Sequence, residues 1–157
     1  MKPASQELVE PTIRIENLKT HFFTRAGAVK SVDGVSYSVM PGEILGVVGE
    51  SGSGKTVTGM SIMGLVDHPG RIVEGSIRFK GEEIANAPES RMRQLRGGAI
   101  SMVFQDATTA LNPVLRIDTQ LVETLRAHKN ISRRKALAAA KEMLARVGIP
   151  TPEKRLK

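Results

Sequence analysis

The sequence predicts an α/β fold organised around one glycine-rich loop. Residues 49–56 read Gly-Glu-Ser-Gly-Ser-Gly-Lys-Thr, and they follow a short apolar run, residues 43–48, that Pro41-Gly42 sets off from the preceding chain. Residues 56–65 then place apolar side chains near helical spacing. A short, nearly continuous apolar run is typical of a strand buried on both faces of a parallel sheet. The three observations together predict a strand, a loop and a helix in direct succession.

The loop fits the phosphate-binding pattern G-x-x-x-x-G-K-[ST] at every fixed position. Its glycines let the backbone turn with N–H groups inward, and the positive end of the following helix attracts an anion. Lys55 would reach the β- and γ-phosphates of a nucleotide, and the Thr56 hydroxyl would hold Mg²⁺. The alternative is an ordinary turn with a surface lysine. The predicted phosphate site comprises Gly49, Glu50, Ser51, Gly52, Ser53, Gly54, Lys55 and Thr56.

Composition narrows the class of protein. A chain of 157 residues can bury the core of one modest domain, and the absence of cysteine excludes disulfides and cysteine-based metal sites. The net charge of +7 would suit nucleic acid, but the chain has no Trp, one Tyr and no base-stacking motif. No apolar run is long enough to span a bilayer, so we expect a soluble protein, or one that is peripheral to a membrane through a partner. Three histidines without ligand spacing are expected at the surface: His21, His68 and His128.

An antiparallel pair of strands is predicted before the loop. Residues 12–18 alternate apolar and polar, and the pattern continues to Phe23. After a turn at residues 25–27, a second strand runs to Met40. One face of that strand carries Val35, Tyr37 and Val39.

Beyond the loop, strand and helix patterns follow one another. Residues 75–81 are predicted as a strand and residues 88–96 as a polar helix. Residues 99–104 are predicted as a second buried strand, and Gln105 stands at its end, where ligands gather in open α/β sheets. Two more helices are predicted at 117–128 and 132–147, the latter capped by Ser132 and ended by Gly148 and Pro150.

Together these segments resemble the ATP-binding subunit of an ABC transporter. The resemblance rests on the antiparallel pair, Pro41-Gly42-Glu43, the loop 49–56, Met102-Val103-Phe104-Gln105-Asp106 and Ala110-Leu111-Asn112-Pro113. The loop letters, and Phe-Gln-Asp leading to Leu-Asn-Pro, are typical of the branch that imports dipeptides, oligopeptides or nickel. The resemblance implies an incomplete P-loop NTPase fold with an N-terminal antiparallel β subdomain. Residues 1–10 would be a flexible leader, 11–157 the N-terminal portion of a nucleotide-binding domain, and about 106–150 the Q-loop region and start of a helical subdomain.

The resemblance also implies roles for single residues. Phe22 matches the aromatic that stacks on adenine, although Phe23 stays open as the stacking residue and either ring could belong to the core. Tyr37 is a weaker candidate and is expected in the core. Gln105 matches the glutamine that contacts Mg²⁺ and the attacking water, the alternative being an exposed amide at a strand end. Asp106–Leu115 would meet a membrane subunit, although a solvated loop predicts the same residues.

The resemblance implies ATP and Mg²⁺ as cofactors, and permease subunits and a second ATP-binding subunit as partners, at the inner face of the cell membrane. The implied function is ATP-driven uptake of peptides or similar small solutes. Hydrolysis in this family also uses a Leu-Ser-Gly-Gly segment, an Asp-ended apolar strand with a following catalytic Glu, and a switch His, none of which occurs in this sequence. We therefore expect weak Mg·ATP binding and no hydrolysis by this chain alone. The alternative is a non-hydrolytic nucleotide-binding or assembly module that docks on a membrane subunit or an intact ATPase.

Overall fold

The structure, a computed structural model, describes residues 9–105 and 110–156. The chain forms two compact units, one that ends at Met102 and one that begins at Val103. The first unit contains strands β1 (Ile13–Thr24), β2 (Gly27–Val39), β3 (Gly70–Phe79) and β4 (Glu82–Glu83), and helices α1 (Lys55–Met63) and α2 (Glu89–Leu95). The second contains helices α3 (Ile117–His128), α4 (Arg133–Arg146) and α5 (Pro152–Arg155).

The first unit contains an antiparallel sheet with the strand order β2-β1-β3-β4. β1 and β2 make a hairpin in which Thr24 pairs with Gly27, so the predicted antiparallel pair is confirmed. The half-buried face of β2 carries the three predicted residues, Val35, Tyr37 and Val39. β3 pairs along the other side of β1 and begins at Gly70, earlier than the predicted start at Gly75. Its first half mixes glycine, charge and apolar residues, so it lacks the alternation that marks its second half.

The core of the first unit lies on one face of this sheet. Its buried members are Ile15, Leu18, Val32, Ile77, Phe79, Ile84, Met92 and Leu95, and Val57 and Ile62 of α1 pack against them. A buried hydrogen bond of 2.8 Å joins Thr20 of β1 to Ser61 of α1. Because the Ser61 hydroxyl already donates to the Val57 carbonyl, Thr20 is the donor in this bond. The bond holds α1, and with it the loop that precedes α1, to the central strand.

Two predicted strands, residues 43–48 and 99–104, are not strands in the structure, so this part of the prediction was wrong. Ile44 is 97% exposed, Val48 93% and Val103 96%. A central strand is stable only when neighbouring strands satisfy its N–H and C=O groups and cover its side chains. Apart from a single bridge between Arg96 and Ile100, no strand of the described residues pairs with either run. The apolar pattern therefore indicates that a segment can form a strand. The strand forms only when neighbouring strands pair with that segment.

The second unit is helical, as predicted. α3 has the predicted bounds, and α4 begins after Ser132, whose hydroxyl accepts a hydrogen bond from the Lys135 N–H. α5 was not predicted, although proline at the first helical position favours a helix start. The Asp118 N–H donates to the Leu156 carbonyl at 2.9 Å, which ties the end of α5 to the start of α3. In the part of the chain that the structure describes, every helix is too short or too polar to cross a membrane.

Candidate functional site

The loop between residues 49 and 56 depends on glycines that adopt left-handed backbone angles. Gly52 has φ +82° and Gly54 has φ +88°, a region that other residues adopt only with strain. A Cβ on Gly54 would lie 2.2 Å from the Ser31 carbonyl oxygen, whereas a Cβ on Gly52 would meet open space. Gly54 is thus required both by its backbone angles and by the close approach of β2. Ser31 was not identified from the sequence, because no local pattern reveals which strand the loop will touch.

Helix α1 begins directly after this loop and presents an open N-terminus. Gly54 is its N-cap and provides no side-chain hydrogen bond, and the first turn contains no acidic residue. The first N–H groups of a helix have no partner within the helix, so they are available to an anion, which the helix dipole also favours. The Thr58 hydroxyl and N–H both bond to the Gly54 carbonyl, which fixes the turn. The start of α1 therefore has the uncapped N–H groups that the predicted phosphate site requires.

Lys55 lies over the loop that it belongs to. Its Nζ donates to the Gly49 and Glu50 carbonyls at 2.7 Å each and to the Ser53 hydroxyl at 3.1 Å. The ammonium group is thereby held against the backbone of the loop. Gly49 has no room for a side chain either, since its Cβ would lie 2.6 Å from the Ser53 hydroxyl oxygen.

Thr56 follows Lys55 and is exposed, so its hydroxyl is free to act as a metal ligand. One protein oxygen is enough for Mg²⁺ at a nucleotide site, because this ion keeps several waters and takes phosphate oxygens. Within residues 9–105 and 110–156, no group of three or more His, Asp or Glu side chains is arranged to hold a metal. The role of Thr56 as a ligand of Mg²⁺ stays a prediction.

The aromatic candidates on β1 differ in exposure. The half-buried Phe22 ring covers Gly70, where a Cβ would lie 2.6 Å from the ring, and Val66 lies beside it. Phe23 is 41% exposed, and the Arg71 guanidinium lies 4.4 Å from its ring centroid. Phe22 thus has apolar neighbours at the start of β3 and just before it, and Phe23 has a cationic neighbour on β3. Neither ring is fully buried.

Two other sequence predictions concern residues near these rings. Tyr37 packs partly buried against the core, and burial raises the pKa of its hydroxyl, in agreement with the predicted core position. His21 was predicted at the surface, and this was wrong: its side chain is only 14% exposed and lies 4.0 Å from Asp33 across the hairpin. The reason is its place on β1, the central strand, between β2 and β3. His68 and His128 are exposed, as predicted.

Gln105 belongs to the second unit and is exposed there. Asp106, with which the predicted membrane-subunit surface starts, lies outside the described residues, and so do residues 107–109. The structure brings together the eight residues of the loop, and the role of Gln105 stays a prediction.

Comparison with known proteins identifies the family. The family described as ABC transporter matches residues 32–157, which is most of the chain. This chain belongs to the ABC transporter family. It is 43% identical over 155 residues to the oligopeptide transport ATP-binding protein OppD of Escherichia coli (strain K12), a match that covers 99% of this chain and 46% of that protein.

A second relative of this ABC family chain is the dipeptide transport ATP-binding protein DppD of Bacillus subtilis (strain 168). The two are 43% identical over 150 residues, and the match covers 95% of this chain and 45% of the relative. The chain thus spans about half the length of the curated relatives that it matches.

The fold agrees with this family. The dimeric structure of MJ0796, a bacterial ABC transporter cassette, matches with a TM-score of 0.72 and 21% identity, over 85% of this chain and 56% of that chain. At this identity the likeness concerns the fold alone. The predicted ABC ATPase-type α/β fold with an antiparallel β subdomain is confirmed, although the two apolar runs are unpaired in the described residues.

Proposed function

We propose that residues 49–56 bind the triphosphate of ATP, and that the chain is part of the ATP-binding component of an importer for peptides or similar small solutes. The observation that carries this proposal is the loop itself: Gly49 and Gly54 have no room for a side chain, the helix N-terminus is uncapped, and Lys55 is held against the loop carbonyls. The printed names of the relatives, which are ATP-binding proteins of oligopeptide and dipeptide transport, support the solute class.

Each group of the loop has a separate task in this proposal. N–H groups of the loop and of the first turn of α1 donate to phosphate oxygens. Lys55 exchanges its carbonyl partners for the β- and γ-phosphates, a stronger interaction because the acceptors are ionised. The Thr56 hydroxyl holds Mg²⁺, which supplies charge neutralisation when bound. Gln105 keeps the role that the family resemblance gives it, near the metal and the attacking water.

The partners and location follow from the same proposal. Permease subunits and a second ATP-binding subunit complete the transporter at the inner face of the cell membrane, and this chain reaches the membrane through them. Residues 11–157 form the N-terminal portion of the nucleotide-binding domain, with the Q-loop region and the start of the helical subdomain in about 106–150. The sequence contains no signature segment and no Asp-Glu strand end, so we propose that this chain alone binds Mg·ATP weakly without hydrolysing it.

A titration with a fluorescent ATP analogue and Mg²⁺ tests the phosphate site. Lys55→Ala should weaken binding by about tenfold or more, because a charge-assisted hydrogen bond contributes about 1.5–3 kcal/mol. Lys129→Ala, an exposed lysine of the second unit, serves as the control and should bind like the parent chain. Equal affinity in the parent chain and Lys55→Ala would refute the site. Steady phosphate release that disappears with Lys55→Ala would instead refute the absence of hydrolysis.

A second titration identifies the adenine contact. Phe22→Ala and Phe23→Ala are compared for binding ATP and inorganic triphosphate, which lacks a base. The stacking residue should lose about tenfold in affinity for ATP and nothing for triphosphate, since a base–aromatic stack contributes about 1–3 kcal/mol. Equal losses for both ligands would mean that the ring supports the fold of the site.

The exposed run at residues 43–48 favours one other candidate function. An apolar strand-like segment without a partner in the described residues suits a non-hydrolytic assembly module that docks on a membrane subunit or an intact copy of the ATPase. Co-purification with the intact ATPase that Lys55→Ala leaves unchanged would favour this function. Loss of co-purification with Lys55→Ala would favour the nucleotide-dependent one.

A further inference from the structure

A cavity of about 350 Å³ opens in the second unit between the start of α3, the middle of α4 and α5. The apolar part of its lining, which we name the floor, consists of the buried Leu156, the half-buried Leu137 and the exposed Ala138. The volume lies at the lower end of the range found for ligand pockets, which is about 300–1,000 Å³. The cavity belongs wholly to the second unit, so it is separate from the phosphate loop.

The rim of this cavity is charged, and both of its carboxylates are already paired. Arg116 donates twice to Asp118, at 3.1 Å and 2.9 Å, and this pair lowers the pKa of the Asp118 carboxyl. Lys141 lies 2.6 Å from Glu153 and lowers the pKa of that carboxyl. Arg134 also lines the cavity, and it makes no ion pair with any described residue. The rim therefore presents one uncompensated positive charge beside an apolar floor.

The surroundings add positive charge. Residues adjacent in sequence to the lining residues of α4 and α5 are exposed and basic, namely Arg133, Lys135, Lys154 and Arg155. A ligand that combines an apolar group with negative charge matches both the floor and the field. A flat anionic membrane fits less well, because the Asp118 and Glu153 carboxylates stand on the same rim.

We propose that this cavity docks an acidic peptide segment of a partner protein. One large apolar side chain of the segment enters between Leu137 and Leu156, and a neighbouring carboxylate pairs with Arg134. The apolar contact supplies affinity, and the charge selects an acidic partner and speeds its association. This site goes beyond the nucleotide site and does not depend on it.

The probe is a fluorescein-labelled peptide with one central Leu and two Glu on each side of it, measured by fluorescence anisotropy with the full chain. Replacing the Leu by Ser, or the Glu residues by Lys, should weaken binding by about tenfold or more. Methyl NMR signals of Leu137 and Leu156 should shift on binding. A Ser peptide that binds as tightly as the Leu peptide would overturn the proposal.

Variants of the chain locate the site. Arg134→Glu should weaken binding by about tenfold, whereas Arg133→Glu, with the same charge change at a residue of α4 that does not line the cavity, should weaken it by about threefold or less. Ala138→Phe fills the cavity from an exposed position and should abolish binding, and circular dichroism verifies that each variant remains folded. Equal losses in the two arginine variants would overturn the proposal, because they indicate non-specific attraction. Binding to phosphatidylglycerol vesicles in place of the peptide would overturn it too.

Lys55→Ala separates this proposal from the proposed function. Peptide affinity should be unchanged in that variant while nucleotide affinity falls. A parallel loss of both would overturn the independence of the two sites.

Discussion

The β1–β2 hairpin and the run at residues 43–48 are neighbours in the chain, and the run has the larger share of apolar residues, yet only the hairpin forms strands. β1 meets β2 across a tight turn and gains β3 on its other side. The run has no strand partner among the described residues, and its Ile44 and Val48 are exposed. The difference shows that an apolar strand pattern is not sufficient for a strand to form. Neighbouring strands, which pair with its backbone and cover its side chains, supply the stability of the strand.

Hydrogen exchange tests this difference most directly. The amides of Leu18 and Thr20 should exchange at least about 10³-fold more slowly than those of Ile44 and Val48. The reason is that the amides of Leu18 and Thr20 become accessible to solvent only when the folded core opens. Two-dimensional NMR after transfer to D₂O gives both sets in one experiment. Comparable protection in both sets would mean that the run is paired in solution, and the comparison would fail.

A matched pair of truncations measures the same difference in stability. Ile15→Ala removes a core side chain and should lower the free energy of unfolding by about 2–5 kcal/mol. Ile44→Ala removes an exposed side chain of the same type and should change it by about 0.5 kcal/mol or less. Urea denaturation followed by circular dichroism gives both values. A large loss in Ile44→Ala would show that the run is buried in the folded chain.

Two glycine variants examine the loop that follows the run. Gly52→Ala introduces only backbone strain, about 1–2 kcal/mol, since a Cβ there meets open space. Gly54→Ala adds a clash with the Ser31 carbonyl and should cost more than Gly52→Ala, with a larger loss of ATP affinity. Thermal melts compare the loss of stability in the two variants, and nucleotide titrations compare their loss of ATP affinity. Equal costs would indicate that the loop is not held against β2.

The smallest expected effect concerns an ion pair that joins β1 to β3. Lys19 donates to Glu74 at 2.7 Å and lowers the pKa of that carboxyl below 4.5. A lowered pKa contributes stability above the unfolded pKa, and this contribution is lost as pH falls through the folded pKa. The melting temperature should therefore fall below about pH 4.5 more in the parent chain than in Lys19→Met. Because the pair is exposed, the difference should be small and should shrink in salt.

Lys129→Met is the control for this pH series, since it removes a lysine outside the sheet. It should follow the parent chain at every pH. If Lys19→Met also follows the parent chain, the ion pair does not contribute to the pairing of β1 with β3.

Local patterns were sufficient where partners are near in sequence. Alternation gave β1 and β2, helical spacing gave α3 and α4, and Ser132 identified the start of α4. The first half of β3 was missed because it is defined by pairing with distant β1, and residues 43–48 were wrongly predicted because their pattern contains no information about partners. α5 is four residues long, too short for a periodic signal.

The candidate site also has features that the sequence predicts and features that depend on contacts between distant segments. The eight residues of the predicted site follow from the motif at 49–56, and Gly52 and Gly54 there adopt backbone angles that favour glycine. The contact of Gly54 with Ser31 depends on how the loop meets β2, and the buried position of His21 depends on β1 lying at the centre of the sheet. No sequence pattern reports such packing between distant segments.

The hydrogen bonds of Lys55 to the Gly49 and Glu50 carbonyls make phosphate binding an exchange of partners. The ammonium group has three neutral acceptors, counting the Ser53 hydroxyl, and must give up some of them to bind a ligand, so the affinity reflects only the difference between the old bonds and the new ones. Bonds to ionised oxygens are roughly twice as strong as bonds to neutral ones, so a phosphate gains from the exchange. A nucleoside offers no ionised oxygen and gains nothing. If the loop binds ATP as proposed, Lys55 would therefore favour ligands that carry phosphate over nucleosides, without any steric barrier.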